Sequence, residues 1–178
     1  MRDSSDDMRV IRPLELQDIR AIVEAFAHAD WPKPAEQYHR YLSEQDQGWR
    51  DVHVAFDAGR FTGYLTIIWE STYPPFRAEG IPEIVDFNVL PHVRRCGIGT
   101  QLMDLAEGRI IERAAVAGIG VGLYADYGAA QRLYVRRRYV PDGRGIAYDG
   151  QPVTPGAMVH VDDSLVLYFT KTLRPAGA

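Results

Sequence analysis

The sequence predicts an α/β domain built on a mixed sheet, and three observations carry that prediction. First, 178 residues with 46% hydrophobic and 25% charged side chains suffice for one compact domain with a substantial core. Second, the run from Glu83 to Ala125 reads as strand, glycine-bearing turn, long helix and strand. That is a βαβ unit, which makes the sheet parallel at this point. Third, two alternating apolar segments flank Asp57-Ala58-Gly59-Arg60, a hairpin signal that makes the sheet mixed.

Residues 1–7 are polar and charged and read as a solvated tail ahead of a single domain over residues 8–178, with Met8 offering an alternative start. Met8–Arg12 reads as a strand, Leu16–Ala27 as a helix, and Pro34–Gln45 as a second helix whose Tyr38 and Tyr41, three apart, share a face. Asp51–Asp57 and Arg60–Trp69 form the hairpin. The proline- and glycine-rich Ser71–Pro82 reads as a loop of a length that is often functional. In Glu83–Val89, Ile84, Asp86 and Asn88 alternate with Val85, Phe87 and Val89, and Leu90-Pro91 ends the strand because proline has no ladder donor. An apolar stripe through Ile98, Leu102, Leu105, Ala106, Ile110 and Ala114 predicts the longest helix, Ile98–Ala117, stopped by Gly118. Ile119–Ala125 is short and apolar and reads as a buried strand. A helix over Ala129–Arg137 and strands over Arg144–Tyr148 and Leu165–Thr172 complete a sheet of about seven strands.

Composition narrows the function classes. One cysteine, Cys96, allows no internal disulfide framework, so a reducing cytoplasm is the simpler home. The charged start lacks the apolar core of a secretory signal, and the longest apolar runs are too short to span a bilayer. The five histidines show no i, i+4 pair and no cysteine companion, so no metal site is expected. A formal net charge of −4 argues against nucleic acid as a partner. That average conceals a basic stretch: residues 94–138 hold eight arginines against four acidic residues, leaving the remainder at −8. Such an asymmetry fits a polyanionic ligand on one side and a cationic one on the other, or arginines that solvate two helix faces.

The densest signal is His92–Met103, "HVRRCGIGTQLM". Arg94-x-x-Gly97-x-Gly99 lies between a strand end and a helix start, where outward-pointing amides meet the positive end of the helix dipole and favour phosphate. A phosphate-binding Walker loop would need another spacing and a lysine. A dinucleotide fingerprint starting at Gly97 would need a small residue where Leu102 stands. Gly120-x-Gly122-x-x-Ala125 fits that fingerprint loosely but follows a helix and not a strand, so it is read as chance.

"VLPHVRRCGIGTQLM" resembles the acetyl-CoA-binding signature of the GNAT acetyltransferase superfamily, with Val89, Pro91, Arg94, Gly97, Ile98 and Gly99 in register and Arg95 in place of a common extra glycine. "YGAAQRLYVRRRYV" resembles that superfamily's second block, in which a small residue, here Ala130, precedes a tyrosine, Tyr134, by four positions. Two departures stand: Tyr127 replaces a frequent asparagine, which puts one cofactor hydrogen bond in doubt, and Arg138 replaces the glycine that usually ends this helix. A non-glycine residue can take that left-handed cap at modest cost.

The resemblance implies a single-domain GNAT-like fold, α/β with a mostly antiparallel sheet and one splayed parallel pair, with acetyl-CoA as acyl donor between those two strands and no metal. It implies cofactor contacts from Phe87, Asn88, Val89 and Leu90 on the strand, from Arg94, Arg95, Cys96, Gly97, Ile98, Gly99 and Thr100 around the loop, and from Ala130, Leu133 and Arg137 on the second helix. The implied activity is transfer of acetyl to a primary amine by direct attack. The acceptor is read as a small molecule, with a peptide or protein amine as the other option. A non-catalytic acyl-CoA-binding sensor is the alternative class, and these domains often form homodimers.

An alkylamine with a lysine-like pKa near 10.4 is neutral in only about one part in 10³ at pH 7, so a base must take a proton. Asp86, mid-strand among apolar residues, is the first candidate, ahead of Glu83, at the position where some histone-directed relatives keep their base, and Glu70. Asp86 also reads as a buried carboxylate satisfied by neighbouring N–H groups. Tyr134 matches the family's general acid for the leaving thiolate, or packs over the cofactor. Cys96 sits in the phosphate loop, away from the expected thioester, which disfavours an acyl-cysteine route. Trp31, Trp69, Glu70 and Tyr73, with Phe76 and Glu79, would suit an acceptor ammonium, or serve core packing and loop anchoring.

Overall fold

The computed structural model describes residues 9–173, so the expected tail over residues 1–7 lies outside the described residues. Among the described residues eight strands and five α-helices follow in this order: β1 (Val10–Pro13), α1 (Asp18–His28), α2 (Ala35–Asp46), β2 (Arg50–Asp57), β3 (Arg60–Ile68), α3 (Pro74–Glu79), β4 (Glu83–Val89), α4 (Ile98–Ile111), β5 (Val116–Gly122), α5 (Gly128–Arg136), β6 (Val140–Tyr148), β7 (Gln151–Pro152) and β8 (Leu165–Thr172). The strands follow the order β1-β2-β3-β4-β5-β8-β6-β7 in an open, mostly antiparallel sheet. The one parallel pair is β4 with β5, in register at Glu83 opposite Gly118 and Ile84 opposite Ile119. The count exceeds the expected seven through the two-residue β7, too short to leave a periodic signal.

The chain divides into two compact units, one of residues up to Ile68 with Asp86–Ala106, the other of Trp69–Val85 with the chain from Glu107 onward. In the first, α1 turns Ile19, Ile22 and Phe26 inward, α2 contributes Tyr38 and Tyr41, and the hairpin β2–β3 supplies Val52, Val54, Phe61 and Tyr64 to a single apolar core. Burying each such side chain contributes about 1.5–3 kcal/mol. The hairpin turns at Ala58 (φ 48°) and Gly59 (φ 70°), so both central residues adopt the positive φ of a type I′ turn, which matches strand twist.

In the second unit Tyr73, Phe76, Ile81, Ala147 and Tyr168 form a separate core. Here several expectations are corrected. Ser71–Pro82 is not all loop: Pro74 starts the short helix α3, Gly80 ends it in the left-handed region, and Phe76 is buried. The long helix ends at Ile111 and not at Ala117, and Gly118 is no stop signal but an interior residue of β5. A Cβ on Gly118 would lie 2.4 Å from the Phe76 ring, so the glycine is there to let that ring approach. Val116, Ala117 and Gly118 pair with Thr172, Lys171 and Thr170 of β8, and these ladder bonds claim residues that periodicity assigns to the helix. β5 accordingly runs earlier than Ile119–Ala125, and β6 begins at Val140, ahead of Arg144.

The α5 terminus follows the expectation. Arg138 takes φ 68°, its N–H bonds the Val135 carbonyl at 2.9 Å, and the Tyr139 N–H bonds the Tyr134 carbonyl at 3.0 Å. This is a Schellman motif with arginine at the left-handed position.

Candidate active site

The turn between β4 and α4 is built by alternating backbone signs. Arg95 (φ 66°) and Gly97 (φ 81°) are left-handed on either side of Cys96, and Arg94 to Gly97 are exposed. Among the described residues the amides of Arg95, Cys96 and Gly97 donate to nothing, while the first turn of α4 adds the unpaired N–H groups common to helix starts. Successive amides in such a conformation form an anion-binding concavity. Arg9 braces the turn, its guanidinium donating to the Cys96 carbonyl at 2.9 Å and to Gln101 Oε1 at 3.2 Å, and Arg94 Nε donates to the Val89 carbonyl at 3.2 Å. A Cβ on Gly99 would stand 3.2 Å from the Phe87 ring, so this glycine lets the helix start close on the strand. Free amides flanked by arginines are the donor set a diphosphate requires, and the residues present fit that part of coenzyme A.

Asp86, in the same unit, has φ 50° in the middle of β4, a conformation rare for a non-glycine residue in a strand. Five side chains donate to its carboxylate. Lys33 Nζ (3.1 Å) and Asn88 Nδ2 (2.7 Å) reach Oδ1; Gln37 Nε2 (2.7 Å) and the hydroxyls of Tyr41 (3.0 Å) and Tyr64 reach Oδ2. Burial would raise its pKa, but the Lys33 ammonium and the tyrosine donors outweigh burial and hold the carboxyl below its ordinary value. The ammonium of Lys33 also faces the rings of Trp31, Phe26 and Tyr64 at 4.9, 5.3 and 5.6 Å. Trp31 is therefore part of the Asp86 cluster. None of Lys33, Gln37, Tyr41 and Tyr64 stands out in the sequence, because α1, α2 and β3 are brought to β4 only by the fold.

The second unit holds the other carboxylate of β4. Glu83 is 5% exposed. Its one hydrogen-bond partner among the described residues is Ser71, whose hydroxyl donates to Glu83 Oε2 while accepting the Tyr73 N–H at 3.0 Å. Burial pushes the Glu83 carboxyl up from 4.5 to about 7, with Ser71 pulling in the other direction. Tyr73 stacks on Tyr168 at 3.6 Å and donates to Asp142 at 3.0 Å, and burial raises its phenol to about 12. Trp69 packs under the Arg113 guanidinium at 4.0 Å, and Glu70 is exposed. Tyr134 on α5 is buried, its phenol is raised by burial, and no described residue hydrogen-bonds its hydroxyl. On the same helix Ala130 and Leu133 are half-buried, and Arg137 Nε donates to Glu107 at 2.9 Å.

The expected site residues thus fall into groups. Asp86, Asn88 and Trp31 share one cluster, and Phe87 and Val89 back the Arg94–Thr100 turn. Glu83 and Tyr73 meet at Ser71, and Tyr134 stands on α5. Among the described residues no helix is long and apolar enough to cross a membrane, and no group of three or more His, Cys, Asp or Glu is placed to hold a metal.

Residues 16–139 match the model of the acetyltransferase (GNAT) family. An N-acetyltransferase from Staphylococcus aureus Mu50 superposes with a TM-score of 0.70 at 16% identity, covering 94% of this chain and all of that one. A Salmonella typhimurium structure, yncA, solved with its cofactor acetyl-CoA, gives 0.65 at 20% identity and 96% coverage of both chains. The ribosomal-protein-S18-alanine N-acetyltransferase from Escherichia coli gives 0.65 at 17% identity, covering 96% of this chain and 97% of that one. At these identities the likeness is one of fold. Among proteins of curated function none matches the sequence.

Proposed function

Because the chain belongs to the GNAT acetyltransferase family and is therefore an acetyl-CoA-dependent N-acetyltransferase, we propose that it acetylates the primary amine of a small molecule by direct attack, with Glu83 as the base. The observation that carries this reading is the buried Glu83 carboxyl at about 7. A base titrating near the working pH combines a useful ionised fraction with a useful driving force for proton transfer. Asp86, held below its ordinary value by the Lys33 ammonium and the Tyr64 and Tyr41 hydroxyls and contacted by five donors in all, is less suited to that task.

Acetyl-CoA, when bound, supplies an acetyl thioester and a thiolate leaving group. The free amides of residues 95–97 and the first turn of α4 would hold its diphosphate, and Phe87–Leu90 would line its pantetheine arm, with a β4 amide polarising the thioester carbonyl. On α5 of the second unit, Ala130, Leu133 and Arg137 keep the role that the resemblance implies, contact with the cofactor. Glu83 takes a proton from the acceptor ammonium. Tyr134, a phenol kept neutral by burial with no described partner at its hydroxyl, would give one to the departing sulfur and recover it from the attacking nitrogen, which sheds a second proton as it becomes the amide. Tyr73, with Trp69 and Glu70 of the same unit, would contact the acceptor.

A thiol-release assay over aminoglycosides, polyamines, amino acids and peptides tests this. The highest kcat/KM is expected on a small amine. A preference for peptides or protein N-termini would overturn the acceptor class, and tight coenzyme A binding with no release on any acceptor would turn the protein into a sensor.

A further inference from the structure

We infer that Lys33 is a positioning residue that acts through Asp86 to hold the left-handed kink of β4, and so sets the course of the strand residues that receive the coenzyme arm. The inference rests on the proposed reading that Phe87–Leu90 line that arm. Four observations carry it. A non-glycine residue at φ 50° in a strand is strained, and persists only where its surroundings over-determine it. Five donors from α2, β3, β4 and the α1–α2 connection supply that constraint. The Lys33–Asp86 ion pair is largely withdrawn from solvent, with side chains 13% and 21% exposed, and three aromatic rings fix the ammonium. Such a pair adds little net stability, so its conformational effect is the better account of it. Finally, the strand past the kink has no slack: a Cβ on Gly63 of β3 would lie 2.5 Å from the Asn88 carbonyl, and the Leu90 N–H bonds the Thr62 carbonyl at 3.0 Å.

The test exploits glycine, which accepts positive φ without help. Acetyl-CoA KM and kcat are measured on the full chain for Lys33→Met, Lys33→Arg, Asp86→Gly, Asp86→Val and the Lys33→Met/Asp86→Gly pair. Asp86→Val, whose branched side chain resists the kink, is expected to raise KM about tenfold more than Asp86→Gly. Lys33→Met is expected to raise KM about tenfold on the native background and less than twofold beside Asp86→Gly, with Lys33→Arg recovering most of the loss. If Asp86→Val fails to fold, Asp86→Ala takes its place in the ranking. Two results overturn the inference: Asp86→Gly losing turnover as deeply as Asp86→Val, which would make Asp86 the base, or Lys33→Met leaving KM where it was. Amide NMR signals of Phe87–Leu90 during a coenzyme A titration separate this from the reading beneath it. No shift in the native protein sinks the arm-binding reading. Shifts with equal affinity in Lys33→Met sink only the role of Lys33.

Discussion

Replacing Glu83 with glutamine tests the chemistry at its root, because one group is expected to set both the rate profile and a stability cost. With the carboxyl at about 7, kcat/KM for an ammonium acceptor should fall about tenfold per pH unit below that value and level off above it. Glu83→Gln should lower kcat/KM at pH 7 about 10²–10³-fold and erase the bend, leaving a rate that climbs with the neutral fraction of the amine toward pH 10. Stability should move oppositely. Burial raises the folded-state value above the unfolded one, so between 4.5 and about 7 the folded chain keeps a proton that the unfolded chain has released. Stability from this group is therefore full below that window and falls as pH rises through it, by about 3 kcal/mol. Glutamine carries no such cost, so at pH 8 the variant should melt about 6–12 °C above the native chain, with most of that gain gone at pH 5. The assays are thiol release from pH 5 to 9 and thermal unfolding at both ends. A bend that survives in Glu83→Gln, or one near 4.5 in the native chain, refutes the reasoning.

Tyr134→Phe should lower turnover about 10²-fold in thiol release while leaving coenzyme A affinity by calorimetry unchanged, since it removes a proton donor and little surface. Gly97→Ala should weaken coenzyme A binding about tenfold: the nearest atom to a Cβ there is 3.8 Å away, so the penalty is the left-handed φ of 81° and not a clash. Gly118→Ala, which drives a methyl against the Phe76 ring, should cost about 1–3 kcal/mol in denaturant unfolding. Arg138→Gly should add roughly 1 kcal/mol in the same assay by relieving a strained helix cap.

What could be read from the sequence was local. The Arg94–Gly99 turn is legible because its conformation needs particular residues at particular spacings, and the Arg138 cap because a helix must stop somewhere after Tyr134. Gly118 is a glycine of the same appearance with another cause, the approach of Phe76 from 42 positions earlier, and nothing adjacent to it announces that ring. α3 is missed for a related reason: its prolines read as loop, while the burial of Phe76 that favours a helical turn is tertiary. The Asp86 cluster lies furthest from local reading, since its donors stand 53, 49, 45 and 22 positions away, with only Asn88 nearby.

That cluster is also why we propose Glu83 ahead of Asp86 as the base on β4. Read along the strand, Asp86 is the charged residue in an apolar row and Glu83 stands at its start, so Asp86 looks the more unusual of the two. Their surroundings differ in the opposite sense. A carboxylate has about four lone-pair sites. Asp86 meets five donors, one of them charged, and its carboxyl is held below its ordinary value. Glu83 meets one hydroxyl and a dry environment, so its charged form is costly and its proton exchangeable near neutral pH. Environments that push two neighbouring acids apart in pKa assign them different work. On one strand three residues apart, the two carboxyls are shifted in opposite directions, and the proposed division of work, Asp86 shaping the backbone and Glu83 moving the proton, follows from that split.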